Sequence, residues 1–312
     1  MEAYDGYLRY MDDIRIFCKS EIEAKKALLR IIQCLRKYKL NINAKKTKII
    51  SPIDSKASLF DSKKPMLDAV QEAIDSRNKY RISAIMPIVN NLFIGGVDRN
   101  NPFDQRHLKF SLFRLGMLKS SGIDIEEKKT IEKIFENFVN NPQNANLFCD
   151  FFILFSKEEK IFNFLIKFLF SKDNIYEWQE LHVLRCLLQL NIKPKKIILK
   201  KFHKRFKNKN LHWSVRSLYC LLIGKHSTQS DRELLVDEFA NIEEMEIKKN
   251  IMLSVQELGI VSRNSFYTRV VGEVWPDSYA RYLKGLNNIL YLIPYERIII
   301  DNFKDQDWIE LY

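Results

Sequence analysis

Residues that interrupt helices are scarce in this chain, which has 9 glycines and 8 prolines in 312 positions. That scarcity excludes collagen-like and linker-rich architectures and favours long helices joined by few turns. No apolar run approaches the roughly 18 residues needed to cross a bilayer. The longest candidates, such as Ile161 to Phe170, are broken by Lys or Asn. The opening residues, Met1 to Gly6, carry neither a basic stretch nor an apolar core, so no secretory signal is read there and a cytoplasmic protein is expected. The five cysteines, Cys18, Cys34, Cys149, Cys186 and Cys220, are odd in number and stand singly within apolar stretches. They read as reduced core residues, not as a disulfide frame or a zinc site. His182, His203, His212 and His226 also lack the spacing of a metal site.

What the chain has in excess is positive charge, and that excess is local. The net charge is +12. The first fifty residues hold twelve Lys or Arg against six Asp or Glu, and the stretch 191–216 holds ten Lys or Arg and no acid. Local basicity is what a polyanion-binding surface requires, whereas solubilising charge is spread evenly. Within the second block Lys196, Lys200, Lys204 and Lys207 recur at helical spacing, with Lys201 and Arg205 beside them. Ile198, Phe202 and Phe206 form a different stripe, so one helix would bury an apolar face and present a cationic one. A solvated helix face is the competing reading. Nucleic acid is the expected partner, with Lys196, Lys200, Lys204, Arg205 and Lys207 as its contacts.

The first fifty residues carry a pattern that points to chemistry. Tyr7 to Tyr10 and Ile14 to Phe17 are β-prone runs separated by Met11, Asp12 and Asp13, which reads as a tight hairpin with two carboxylates at its tip. Ser20 and Glu23 then form a capping box, opening a helix with Ala24, Ala27, Leu28, Ile31, Leu35 and Tyr38 on one face and ending near Lys39. Leu40 to Asn43 leads into a further expected strand over Lys46 to Ile50. Adjacent carboxylates can hold Mg²⁺, a hard cation that prefers oxygen ligands and bridges to substrate phosphates. In two-metal phosphoryl transfer such a pair helps place ions beside the attacking and leaving oxygens.

Tyr10-Met11-Asp12-Asp13 resembles the YxDD box of reverse transcriptases. About thirty residues on, Leu40-Asn41-Ile42-Asn43-Ala44-Lys45-Lys46-Thr47-Lys48 resembles the next motif of the same palm, and the two stand in the family's order around a helix. The resemblance covers about the first fifty residues. It implies that Asp12 and Asp13 are catalytic metal ligands for Mg²⁺, and that Tyr10 and Met11 line the pocket for the primer end and the dNTP. It also implies that Lys46 lies near the incoming triphosphate, where it can neutralise or protonate the leaving pyrophosphate, and that Asn43 fixes that loop. Lys45 and Lys48 read rather as solvated lysines at a strand edge. In that family a further metal-binding aspartate and the fingers precede the YxDD hairpin, and nine residues stand before Tyr10 here. The chain is therefore expected to hold the second half of a palm and, by itself, to be inactive. An upstream polymerase half or a second copy is a further expected partner.

Residues 51–65, with Pro52 and Pro65, read as a connector. Beyond them apolar residues recur at three- and four-residue spacing, as in Leu108 to Lys119, which carries Lys109, Arg114 and Lys119 beside its apolar stripe. Leu184 to Leu188 aligns with Leu218 to Leu222 at a period of 34, and more loosely with Met252 to Gln256. Helical pairs repeating at that period stack into a solenoid. The expected fold is mostly α, with a partial α/β palm of hairpin, helix and strand over 1–56 and a HEAT-like array of α-helical repeats over 57–312.

A helical array after a YxDD palm resembles the abortive-infection and defence-associated reverse transcriptases of bacteria, whose helical domain embraces the product. The resemblance implies antiviral defence, and Phe202, Phe206 and Trp213 among the cations would suit a single-stranded ligand, with repeat core as the competing reading of these aromatics. Two further readings are a noncatalytic helical-repeat scaffold that binds nucleic acid or protein, and a retroelement maturase, against which the helical array argues.

Overall fold

The computed structural model describes residues 6–10, 13–42, 47–51, 63–98 and 104–270. Among these, thirteen α-helices and one two-stranded sheet are formed. None of the helices is long and apolar enough to cross a membrane. The chain divides into two compact units, 1–85 and 86–312. The sequence-derived boundary at 56–57 falls outside the described residues.

In the first unit β1 (Gly6–Tyr10) pairs antiparallel with β2 (Asp13–Phe17), in a register that sets Leu8 opposite Arg15 and Tyr10 opposite Asp13. Helix α1 (Glu21–Lys37) follows. Its first turn is closed by Ser20 Oγ, which accepts from the Glu23 amide at 3.2 Å. The Glu23 carboxylate reaches back one residue further than a capping box requires and accepts from the Lys19 amide at 2.9 Å. The far end closes as a Schellman motif: Leu40 N–H donates to Leu35 O and Lys39 N–H to Arg36 O, with Lys39 in the left-handed region at φ 58°.

Of the apolar face expected for α1, Ala27 alone is buried. The strand expected over 46–50 is not formed at residues 47–50. A β-strand is held by hydrogen bonds to a neighbour, and β1 and β2 pair with each other alone among the described residues, leaving Ile49 and Ile50 exposed. Helix α2 (Lys64–Asp75) has Pro65 in its first turn, where the missing N–H costs nothing. It buries Leu67, Val70, Ala73 and Ile74.

The division between the units falls within α3 (Lys79–Asp98). The second unit continues through α4 (Asp104–Ser120), α5 (Glu127–Asn137), α6 (Ala145–Ile153), α7 (Glu159–Leu169), α8 (Glu177–Gln189), α9 (Lys196–Phe206), α10 (Trp213–His226), α11 (Gln229–Glu238), α12 (Met245–Ser254) and α13 (Ile260–Val270). Alternate helices α4, α6, α8, α10 and α12 pack on one another in succession, giving the helical array its inner row. The period of 34 shows physically at Cys220 of α10, whose Sγ lies 3.1 Å from Ser254 Oγ of α12. Cys149, Cys186 and Cys220 are all buried in this row as free thiols. Small residues there let helix axes approach closely: a Cβ on Gly224 would fall 2.6 Å from Ser254 backbone atoms.

Phenylalanines fill the space between α5, α6 and α7. Phe135 stacks on Phe164 at 4.0 Å between centroids, and Phe138 meets Phe168 edge-on at 5.0 Å. The Gln179 amide, buried in the first turn of α8, donates to the carbonyl of Phe138 at 2.6 Å and ties this cluster to α8.

Candidate functional site

Two places carry the chemistry expected of the sequence, one in each unit, and each is described by itself. The first is the tip of the hairpin. Cross-strand pairing sets the backbone of Tyr10 opposite that of Asp13, so the two ends of the stretch 10–13 face each other across the ladder. Met11 and Asp12, between them in sequence, lie outside the described residues, as do Asn43, Lys45 and Lys46. Lys48, downstream, is exposed. Leu8, at 59 % exposure, Ile14 at 43 % and Phe17 at 48 % leave the hairpin largely uncovered. A two-stranded ribbon is marginal by itself, and apolar side chains at this exposure are what a larger sheet would cover.

The second place is α9 and the loop after it. Lys196, Lys200 and Lys204 follow one another at i, i+4 and i+8, all exposed, and make no ion pair among the described residues. Lys201 also points outward and holds its ammonium 4.8 Å from the Phe170 ring. Lys207 is exposed but engaged, its Nζ 2.5 Å from Glu238 of α11. Arg205 turns inward: its Nη2 donates to Glu180 Oε1 at 2.6 Å and its Nε to the same oxygen at 3.1 Å. Tyr219 of α10 donates its hydroxyl to that carboxylate at 2.5 Å. Burial and the neighbouring Glu180 charge push the Tyr219 phenol up, so it stays a donor. Burial works against the Arg205 charge, but the Glu180 hydrogen bond and charge outweigh it and raise the pKa. The cluster therefore joins α8, α9 and α10 as a charge-assisted clamp.

Of the two readings of Phe202 and Phe206, core and a surface for bases, the structure shows the first: both are buried beneath α9, and Phe202 lies 6.0 Å from Phe170 and 5.6 Å from Tyr219 between ring centroids. The apolar stripe that marks a helix's buried face had already claimed them. The absence of acid within 191–216 does not mean absence of acid around it, because Glu180 and Glu238 arrive from neighbouring helices. No local signal announces such partners. Trp213 remains on the surface at 39 % exposure.

Among the described residues no group of three or more His, Cys, Asp or Glu could hold a metal ion. His182 sits against the Trp178 ring, 4.2 Å between centroids, and burial lowers its pKa to about 3, leaving it neutral.

No curated protein and no solved structure matches the chain. The family model for reverse transcriptase (RNA-dependent DNA polymerase) matches residues 4–91. The matched stretch takes in the hairpin, α1, α2 and part of α3, and at the level of the family it is similar to a reverse-transcriptase-type polymerase, a nucleotidyltransferase that acts on nucleic acid and dNTPs.

Proposed function

We propose that this chain is the C-terminal portion of a reverse-transcriptase-type DNA polymerase, with residues 1–56 as the second half of a palm and the helical array as the holder of nucleic acid. The observation that carries the reading is the hairpin register, with Tyr10 opposite Asp13 inside the stretch that matches the family. The donor set suits the ion: Asp12 and Asp13 offer hard carboxylate oxygens of the kind Mg²⁺ prefers. When bound, Mg²⁺ supplies activation of the primer hydroxyl and charge stabilisation of the leaving pyrophosphate. Tyr10 and Met11 line the primer and dNTP pocket, Lys46 neutralises or protonates the pyrophosphate as it leaves, and Asn43 holds the loop that carries Lys46.

The exposed Leu8, Ile14 and Phe17 support the view that the hairpin works as part of a wider sheet, supplied by an upstream polymerase half or a second copy. The 312-residue chain made by itself is accordingly inactive. The combination of a palm segment with a HEAT-like helical array supports a role in bacterial antiviral defence by abortive infection. Lys196, Lys200 and Lys204 are the cations left available to phosphates, whereas Arg205 and Lys207 support the array through Glu180 and Glu238.

The test is incorporation of labelled dNTP by the protein purified from its own cells with any polypeptide that accompanies it. Mg²⁺-dependent incorporation that Asp12→Ala and Asp13→Ala each abolish supports the reading. Incorporation that survives both overturns it, and incorporation by the 312-residue chain made alone overturns the requirement for a second part. A noncatalytic scaffold would leave the cellular phenotype unchanged in Asp12→Ala.

A further inference from the structure

The two tryptophans within the described residues, Trp178 and Trp213, are both on the surface, at 40 % and 39 % exposure, in a protein that buries most of its described phenylalanines. Both stand in the first turn of an inner-row helix, α8 and α10, and they are 35 positions apart, one more than the period of 34. The helices pack side by side, and the residues next to the indoles touch: the His212 amide donates to Glu177 Oε1 at 3.2 Å. The first turns that carry the indoles thus lie on the same edge of the array. Each is braced by a histidine ring: Trp178 by His182 at 4.2 Å, Trp213 by His212 at 5.3 Å. Tyr176, at 53 % exposure, precedes α8 on the same edge.

Cations reach this edge by the same construction. The bond from Arg205 to Glu180 sets the last turn of α9 against the first turn of α8. The line Lys196, Lys200, Lys204 therefore runs along α9 toward the first turn of α8, and the exposed Lys209 lies in sequence between the end of α9 and Trp213. The N-terminus of α10 has no acid in its own first turn, and the Glu177 carboxylate of α8 meets it through the His212 amide.

We propose that Trp178 and Trp213 form a ledge on which the bases of a single-stranded nucleic acid stack while its phosphates follow the lysines of α9. This rests on the reading of the array as a nucleic-acid holder and names the part that recognises bases. A flat aromatic face beside a line of cations fits a polymer of aromatic bases on an anionic backbone; an acidic peptide would use the cations but leave the indoles idle.

The experiment compares a short oligo(dT) with a strand of equal length and charge made of abasic units, binding to the full chain. The wild type should hold oligo(dT) more tightly, and Trp178→Ala and Trp213→Ala should each reduce that affinity by about 5- to 100-fold, the range for loss of one stacked base. Abasic-strand affinity and the melting temperature should stay unchanged in both variants, and Trp→Phe at either position should retain most of the preference. An oligo(U) arm reads out whether RNA or DNA is held better. Equal wild-type affinity for dT and abasic strands overturns the ledge but leaves the lysine reading standing. No binding to either strand overturns both. A dT preference that survives the double substitution W178A/W213A also overturns the ledge.

Discussion

Arg205 and Glu180, twenty-five positions apart, share three hydrogen bonds that engage both carboxylate oxygens, at 2.5, 2.6 and 3.1 Å, with Glu180 only 2 % exposed. A carboxylate so placed is tolerated because a cation and the Tyr219 hydroxyl face it. Removing the guanidinium leaves the charge buried with one neutral donor. Arg205→Ala should therefore lower the stability of the array by about 3 kcal/mol, whereas Lys200→Ala, on the exposed face, should stay within about 0.5 kcal/mol of wild type. Denaturant unfolding of the two variants checks the contrast. Equal small losses would show the clamp to be energetically idle.

The lysines of α9 separate by the same logic. Charge reversal at Lys196, Lys200 and Lys204 removes three exposed cations without disturbing an ion pair among the described residues. The plot of log affinity against log salt for a single strand should become shallower by about 2, since each phosphate contact contributes about 0.7. Lys207→Glu confronts Glu238 and should cost stability instead of acting on the slope alone. An unchanged slope in the triple variant assigns the three lysines to a solvated face.

The approach of α10 to α12 makes Gly224 intolerant of even a methyl group. A Cβ there would meet Ser254 Cα, Cβ and O, each at 2.6 Å, and two of these are backbone atoms that cannot rotate away. Gly224→Ala should destabilise by about 1–3 kcal/mol through overpacking. Gly122 offers a contrast: nothing lies within 4 Å of its Cβ position, but its φ of +75° penalises an L side chain, so Gly122→Ala should cost about 1 kcal/mol from the backbone alone. Thermal melts of the two variants rank them.

Burial carries a pH consequence at His182, whose pKa falls from about 6.5 to about 3, mainly through desolvation with the Arg185 charge adding to it. In the unfolded chain the ring takes a proton near its ordinary pKa, while in the folded chain it does not until much lower pH. The unfolded state thus binds more protons between roughly pH 6.5 and 3, and stability falls with decreasing pH by up to about 1.4 kcal/mol per unit in that window. Above pH 7 the group contributes no pH dependence. His182→Gln should flatten that limb of the stability curve, and an unaltered acid limb would show that other groups govern it.

How far the sequence announced the structure depends on whether the interaction was local. Ser20 and Glu23 could be read as a helix start because the cap closes within a few residues, and the bond to Lys19 in place of Ser20 is a shift of one position. The period of 34 anticipated Cys220 against Ser254 because a repeat converts sequence spacing into a spatial neighbour. The strand expected at 46–50 failed for the converse reason: Ile49 and Ile50 have β propensity, but a strand exists only with a partner. Phe202 and Phe206 were legible as core because they stand on the apolar stripe of α9, whereas the exposure of Trp178 has no local cause at all. It follows from which end of α8 reaches the edge of the array, a property of the stacking.

Cysteine chemistry gives a final separation. Cys149, Cys186 and Cys220 lie in the inner row; burial raises the Cys149 thiol well above its ordinary value and pushes Cys220 up to about 12. A thiol reacts as its thiolate, and both the high pKa and the lack of access suppress attack. Cys34 is exposed on α1 and Cys18 is half-buried before it. Brief alkylation of the native protein, read by peptide mass spectrometry, should label Cys34 first and Cys18 next, with Cys149, Cys186 and Cys220 modified only once denaturant unfolds the array. Their release should follow one cooperative transition, because each of these cysteines is packed into the same row of helices. Early labelling of Cys220 while Cys149 stays protected would show instead that the C-terminal repeats open independently, and that the row is not a single cooperative unit.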